Sequence, residues 1–221
     1  MKRVLIGPAI VIAFSWVMVL ADSSTGAIQG RVVDGNAKPV SAAKVIVTPV
    51  GGDEDSQKSA TTDAKGKFVV ANLPLGPYTV GAEKQDVAYP NTALAFYNGA
   101  GAEPITLTTD KPTATVNLTF KVRAAVLSGV VTDSVSNDPV RATFLLRRAN
   151  HPEILLAGEF PSNYRILVPS DTDIRMEVAA PGYKTWYYPG TIDPKETQPL
   201  HIKGASKLQL DIQLDRTNPD S

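Results

Sequence analysis

The chain has 221 residues and balances 22 lysines and arginines against 22 aspartates and glutamates. Its hydrophobic content of 43% is ordinary for a globular protein and excludes wholesale disorder. The length is sufficient for one or two domains, each with its own core. The sequence contains no cysteine, so the fold has no disulfides and must be held by apolar burial.

The N-terminus has the pattern of a secretory signal peptide. The basic head Met1–Arg3 precedes the uncharged, mostly apolar stretch Val4–Leu20, and the small residue Ala21 follows. We predict that residues 1–21 are a signal peptide cleaved after Ala21, and that the protein is periplasmic, secreted or at the surface of a bacterial cell. The alternative is an uncleaved membrane anchor, since the apolar stretch approaches the ~18 residues that can span a bilayer.

The charge balance bears on the class of partner. Cleavage after Ala21 removes two of the 22 basic residues and leaves the 22 acidic ones in slight excess. A chain without a basic excess has no electrostatic reason to bind nucleic acid or an anionic membrane surface. We therefore expect neither partner, and no later segment is long and apolar enough to predict a membrane span.

Two parts of the chain repeat one layout. Gly30 matches Gly129, and the motif FYNG at residues 96–99 matches YYPG at residues 187–190. Each aromatic motif is followed by a proline and then by an alternating strand. A repeat of roughly 95 residues predicts two tandem domains, because solenoid repeats are much shorter.

Both parts have the pattern of β-strands. The clearest runs are KLQLDIQL at residues 207–214 and VNLTFKV at residues 116–122, which place an apolar residue at every second position. Short runs rich in Val, Ile, Thr and Tyr lie between glycine- and proline-containing turns, and no stretch after residue 21 has a sustained helical period. About seven short strands in each ~95 residues predict a two-sheet sandwich.

These patterns define a domain layout. We predict a signal peptide at 1–21, a first β-sandwich at 26–122, a second and divergent β-sandwich of the same type at 123–216, and a polar tail at 217–221.

Four motifs in the first repeat carry a family resemblance. They are G-R-V-V-D at residues 30–34, P-V-S-A-A at 39–43, T-T-D-A-K-G-K-F at 61–68 and L-P-L-G-P-Y at 73–78. With them, the first repeat resembles the carboxypeptidase regulatory-like domain, a transthyretin-like or prealbumin-like sandwich with carbohydrate-binding-like relatives. The resemblance implies an all-β fold of two tandem seven-stranded greek-key β-sandwiches, and it supplies no catalytic residue.

The second repeat is a degraded match to the same family. Gly129–Val131 and Asp138–Val140 are retained, whereas residues 158–164 replace the hairpin motif. In the first repeat we expect Gly66 and Gly76 to adopt turn conformations that favour glycine. Phe68 and Tyr78 are expected to be core aromatics in that repeat.

The sequence gives little support for an enzyme. Its two histidines, His151 and His201, lie far apart along the chain, and His151-Pro152-Glu153 lacks the spacing of a zinc-peptidase pair. No G-x-S-x-G motif or cysteine offers a nucleophile. We expect no catalytic residues, no metal site and no cofactor.

Two acidic clusters are weak candidates for calcium. They are Asp53–Asp55 and Asp133 with Asn137 and Asp138, and neither has the alternation of an EF-hand loop. Turn chemistry favours a hairpin tip for the first cluster and an Asx-type turn for the second.

The aromatic loops are the candidate ligand-binding residues. Tyr and Trp rings offer apolar area together with a polar group, which suits sugars or the side chains of a partner. The structural alternative is that the loops close the ends of the sandwiches. Adjacent side chains diverge, so we expect at least one of the three rings at 186–188 to be exposed. The candidate set is Tyr89, Tyr97, Tyr183, Trp186, Tyr187 and Tyr188.

Two functional hypotheses follow, with a third in reserve. The first is an exported, non-catalytic binding module for carbohydrate or cell-envelope adhesion, by analogy of fold. The second is a structural or interaction protein that recognises another envelope protein through sheet edges or aromatic loops. The third is an accessory domain of a hydrolase.

Overall fold

The computed structural model describes residues 25–217. The predicted signal peptide and most of the predicted polar tail lie outside these residues. Within them the protein is built from β-strands, with three single-turn 3-10 helices and one short α-helix, α1 (Ala95–Asn98). Between residues 25 and 217, no helix has the length and hydropathy needed to cross a bilayer.

The first lobe, residues 25–120, contains seven strands in two sheets. The strands are β1 (Thr25–Asp34), β2 (Lys44–Pro49), β3 (Lys58–Thr61), β4 (Lys67–Pro74), β5 (Gly76–Glu83), β6 (Ile105–Leu107) and β7 (Thr113–Phe120). One sheet has the order β4-β1-β7 and the other β3-β2-β5-β6. The closing strand β7 runs parallel to β1, whereas the other pairs are antiparallel.

The second lobe, residues 125–217, repeats this arrangement. Its strands are β8 (Ala125–Asp133), β9 (Ala142–Arg148), β10 (His151–Phe160), β11 (Asn163–Val168), β12 (Asp173–Ala179), β13 (Trp186–Tyr187), β14 (Leu200–His201), β15 (Lys207–Gln209) and β16 (Ile212–Leu214). One sheet has the order β10-β9-β12-β13, with β14 also on β12; the other has β11-β8-β15, with β16 also on β8. Both β15 and β16 run parallel to β8, as β7 does to β1.

The predicted sandwich architecture is confirmed, with two departures in detail. The second lobe exceeds seven strands because its closing strand is divided between β15 and β16, and because β13 is added. The alternation in the first repeat also ends earlier than predicted: β7 stops at Phe120, and Val122 is 65% exposed. Val122 lies in the connection to the second lobe, where no sheet covers it.

Each lobe has an apolar core between its sheets. The predicted core aromatics Phe68 and Tyr78 are buried in the first core. Ile212 and Leu214 of β16 are buried in the second core, while Leu208 and Leu210 pack against it. The period-two pattern therefore identified the inward faces correctly.

Gly30 and Gly129 occupy equivalent places where the parallel closing strand crosses. A Cβ at Gly30 would overlap the backbone carbonyl of Val116, and one at Gly129 would overlap that of Leu210. Each glycine therefore permits close backbone approach between the two parallel strands. Close packing of the two strands therefore explains why both repeats have a glycine at this position.

Candidate binding groove

The loop between β5 and β6 of the first lobe packs against the second lobe. Phe96, on α1, is 1% exposed and lies in the core of the second lobe. The Tyr97 hydroxyl donates a hydrogen bond to the Leu167 carbonyl over 3.0 Å, and burial raises the pKa of this phenol above its ordinary value. The Ala124 N–H also donates to the Ala88 carbonyl at 2.8 Å. Tyr97 therefore contributes a hydrogen bond to the contact between the two lobes.

Tyr89 packs against residues at the end of the first lobe. Its ring stacks on Phe120 with centroids 4.4 Å apart and planes 6° from parallel. The guanidinium carbon of Arg123 lies 5.4 Å from the centroid of the Tyr89 ring, close enough for a cation–π contact. These contacts give the ring a structural role at the end of the first lobe.

Tyr183 belongs to a charged cluster at the edge of the second lobe. Its hydroxyl donates to Asp133 Oδ2 at 3.0 Å, and Arg216 Nε donates to the same oxygen at 2.6 Å. The other carboxylate oxygen accepts the backbone N–H groups of Val135 and Ser136 at 2.9 Å each. These two bonds form the Asx-type turn expected from the sequence.

The cluster holds Asp133 in its charged form. The carboxylate is 0% exposed, and hydrogen bonds from the Ser136 N–H, Arg216 and the Val135 N–H hold its pKa well below the usual range. Burial and the bond to Asp133 raise the pKa of the Tyr183 phenol. The hydrogen bonds of this buried carboxylate hold the end of β8, the loop at residue 183 and the chain at residue 216 together.

The run from 186 to 188 divides between the core and the surface. Trp186 is 7% exposed and pairs with Val178 in the β13–β12 ladder, while Tyr187 pairs with Glu177. Tyr188 packs against Trp186 with centroids 6.5 Å apart and the rings steeply inclined. Tyr187 and Tyr188 are half-buried, so the most exposed rings of the run are these two tyrosines and not the tryptophan.

A groove lies along β16 on the second lobe. We call it the β16 groove; its volume is about 690 Å³. One wall comes from the outward-facing residues of β8 and β16, and the other from the loop after β13. Its lining includes Val130, Lys184, Trp186, Ile192, Asp211, Gln213 and Asp215.

The β16 groove has a mixed apolar and charged surface. Val130 and Ile192 are 41% and 51% exposed, so each contributes apolar surface to the groove. Lys184, Asp211 and Asp215 add charges of both signs. Of the six aromatic candidates, Trp186 lines this groove, and the other five are absent from its lining.

Two hydrogen bonds, one between backbone groups and one from a backbone N–H to a side chain, hold the framework of the groove. The Lys184 N–H donates to the Asp215 carbonyl at 2.8 Å, which fixes the loop against the end of β16. Asp211 Oδ1 accepts the Val130 N–H at 3.0 Å and fixes the other end. The groove is therefore formed on a strand framework and not on a free loop.

The two histidines come together in a different place. His151 and His201 line one cavity of about 390 Å³, although they are distant in sequence. Each Nδ1 faces its own carboxylate: His201 lies 2.8 Å from Asp173 Oδ1, and His151 lies 3.2 Å from Glu153 Oε1. In the part of the chain that the structure describes, no group of three or more His, Asp or Glu is placed to hold a metal ion.

Sequence reasoning missed most of the groove. It identified Trp186 but not Val130, Ile192, Asp211 or Gln213. The alternation at residues 207–214 predicted the apolar positions of the strand, and nothing local indicated that a loop would lie beside the other positions. The groove depends on long-range contacts, among them the hydrogen bond from the Lys184 N–H to the Asp215 carbonyl.

Comparison with known proteins identifies the first lobe. Residues 27–121 match the family described as the carboxypeptidase regulatory-like domain. The first lobe is a carboxypeptidase regulatory-like domain. Its family motifs lie in the core and turns of the regulatory-like domain, and the match stops before the second lobe, which carries the β16 groove. Comparison with curated protein sequences gave no match.

Several solved structures are similar to the chain at low identity. The Bacillus anthracis TIE protein is 18% identical with a TM-score of 0.35, and the alignment covers 87% of this chain and 34% of that one. The shaft pilin SpaA from Lactobacillus rhamnosus GG is 11% identical with a TM-score of 0.35, covering 88% and 99%. A C-terminal fragment of the pilus adhesin SpaC from the same bacterium is 12% identical with a TM-score of 0.28, covering 88% and 98%.

The share of each chain that is covered differs among these proteins. This chain spans about a third of the length of the Bacillus anthracis protein and nearly all of the two Lactobacillus chains. The sandwich architecture of this chain is defined by its own strand pairing.

Proposed function

We propose that the chain is an exported, non-catalytic binding module of the bacterial cell envelope or cell surface, and that its ligand site is the β16 groove. The supporting observation is the surface of this groove, where exposed Val130 and Ile192 lie beside charges of both signs on a strand framework. In a concave site, apolar area buries the ligand and placed polar groups fix its orientation; in this groove polar residues form the larger part of the lining. Export rests on the pattern of residues 1–21.

The distribution of reactive side chains supports a non-catalytic role. The phenol of Tyr183 and the carboxylate of Asp133 are bonded to each other inside the fold, and Arg216 completes the cluster. His151 and His201 each face a carboxylate in an exposed setting. Neither arrangement pairs a nucleophile with a base beside the β16 groove.

A protein partner is the better of the two ligand classes. Sugar binding of the stacking type needs an exposed aromatic face. Trp186 is the ring that lines the β16 groove, and it is 7% exposed. Carbohydrate is the second candidate, and the polar groups of Lys184, Asp211 and Asp215 around Trp186 favour it.

A binding experiment with matched variants tests this proposal. Purified protein is incubated with isolated bacterial cell envelopes, and the bound fraction is measured. Val130→Arg fills the groove and should abolish binding, whereas Val69→Arg, at a 58% exposed site on β4 of the first lobe, should bind like the wild type. Equal binding of wild type and Val130→Arg, or no binding of the wild type, would contradict the proposal. Soluble polysaccharides added as competitors separate the two ligand classes.

A further inference from the structure

The free edge of β16 gives the groove a specific chemical character. In the parallel ladder with β8, Leu214 directs its carbonyl toward β8, where it accepts the Ser134 N–H at 3.0 Å. Asp215 directs its carbonyl the opposite way, to the Lys184 N–H. Successive residues of a strand direct their backbone groups to opposite sides, so Gln213 directs its N–H and C=O away from β8.

The outward side of Gln213 is the side of the β16 groove. Gln213 is exposed and lines the groove. Among residues 25–217, no turn or loop donates a hydrogen bond to the Gln213 C=O or accepts one from its N–H. A strand edge with a free donor and a free acceptor is a template for another extended backbone.

The groove already accepts one backbone partner at this edge. The Lys184 N–H bonds to the Asp215 carbonyl at the same side of β16, two residues after Gln213. Beyond that contact the loop leaves the edge, and the groove of about 690 Å³ opens between them. A strand laid there would continue the pairing that Lys184 begins.

Resting on the proposed function, we infer that the occupant of the β16 groove is an extended polypeptide segment of a partner protein, which pairs with the backbone of Gln213. This mode of recognition takes affinity from main-chain hydrogen bonds and specificity from alternate side chains. Val130 and Ile192 would receive apolar side chains of the segment, because both are exposed on the lining. The regular alternation of backbone N–H and C=O groups along an extended polypeptide matches this edge.

The test begins with a phage-displayed library of random linear peptides selected against the purified protein. A selected peptide is synthesised, and its affinity is measured for the wild type and for three variants. Gln213→Pro removes the outward N–H, and proline is tolerated at edge positions whose N–H faces outward. We expect Gln213→Pro to weaken binding about tenfold or more, the loss expected for a lost main-chain contact and its neighbours.

The matched control keeps the backbone and changes the side chain. Gln213→Ala keeps the outward N–H and C=O and removes only the side chain, so it should lose much less affinity for the peptide than Gln213→Pro. Val130→Arg should abolish binding by filling the groove. If Gln213→Pro binds as well as Gln213→Ala, the inference is wrong.

Amide hydrogen exchange gives a readout that does not depend on the proline variant. In the free protein the Gln213 amide should exchange faster than the Leu214 amide, and the selected peptide should slow the exchange of Gln213. A Gln213 amide that is already protected, or that the peptide leaves unchanged, would overturn the inference.

The outcomes separate this inference from the proposed function. If polysaccharides bind in a Val130-sensitive way and no peptide is selected, the peptide inference fails while the binding module stands. If neither peptides, polysaccharides nor envelopes bind the wild type, both fail.

Discussion

The loop between β5 and β6 and the loop between β12 and β14 hold the same place in the two lobes and have different roles. The first places Phe96 in the core of the other lobe, where it is 1% exposed. The second folds back as β13, and Trp186 packs into the core of its own lobe. A shared aromatic layout therefore does not determine which core the ring fills.

The difference has consequences for the surface. Because the first loop is consumed in joining the lobes, its tyrosines are bonded or stacked inside the fold. The second loop stays on its own lobe and turns its far side toward β16, so that it can form one wall of the β16 groove. The loop that is not used for assembly is the one available for binding.

The largest expected effect comes from Phe96→Ala. Truncating a fully buried phenylalanine should lower the free energy of unfolding by about 4 kcal/mol, because a cavity is left in the core of the second lobe. Urea denaturation followed by Trp186 fluorescence measures this, since the other tryptophan, Trp16, lies in the predicted signal peptide.

The control for Phe96 is in the same loop. Leu94→Ala, at a side chain that is 40% exposed, should change the free energy of unfolding by much less. Similar losses for Phe96→Ala and Leu94→Ala would mean that Phe96 does not stabilise the second lobe.

A smaller effect is expected from Tyr97→Phe. The variant keeps the ring and removes the hydrogen bond to the Leu167 carbonyl, so the free energy of unfolding should fall by about 1 kcal/mol. Tyr187→Phe in the second loop is the matched control, because the Tyr187 hydroxyl makes no hydrogen bond to the residues that the structure describes. Thermal or urea unfolding of both variants decides the comparison. An equal loss of unfolding free energy in Tyr187→Phe would mean that the hydrogen bond from Tyr97 to Leu167 does not stabilise the protein.

The fold was predictable to a large degree because its causes are local. Alternation in the run at 207–214 identified Ile212 and Leu214 as inward residues, and the turn glycines Gly66 and Gly76 have positive φ, as expected. The division of the closing strand at residues 210 and 211 has no such local signal. At this break the Val130 N–H donates to the side chain of Asp211 at 3.0 Å.

The candidate site was less predictable because its causes are distant in sequence. The groove needs Lys184 to meet Asp215, and its free edge needs the phase of the β8–β16 ladder to turn Gln213 outward. Composition identified aromatic residues as candidates, but burial placed Tyr89, Tyr97 and Tyr183 in structural contacts. Aromatic clusters identify large buried areas more reliably than they identify ligand sites.

The last expected effect is a loss of stability in acid, which is absent near neutral pH. It should affect the second loop more than the first. The pKa of Asp133 is lowered in the folded state, so its contribution to stability is fully present above the unfolded pKa, near 4, and is lost as pH falls below that value. The bond from Tyr97 to a carbonyl does not titrate in this range. Acid should therefore loosen the second loop, through Tyr183 and Arg216, before the first.

The comparison of wild type with Asp133→Asn isolates this contribution. Asp63 and Asp86 in the first lobe also have lowered pKa values, from backbone N–H bonds at Lys67 and from Lys84 respectively, so the wild type alone mixes several groups. Urea unfolding at a series of pH values should give a steeper loss of stability below about pH 4 in the wild type than in Asp133→Asn, because the amide has no charge to lose. Parallel pH profiles would mean that the Asp133 cluster does not contribute to acid sensitivity.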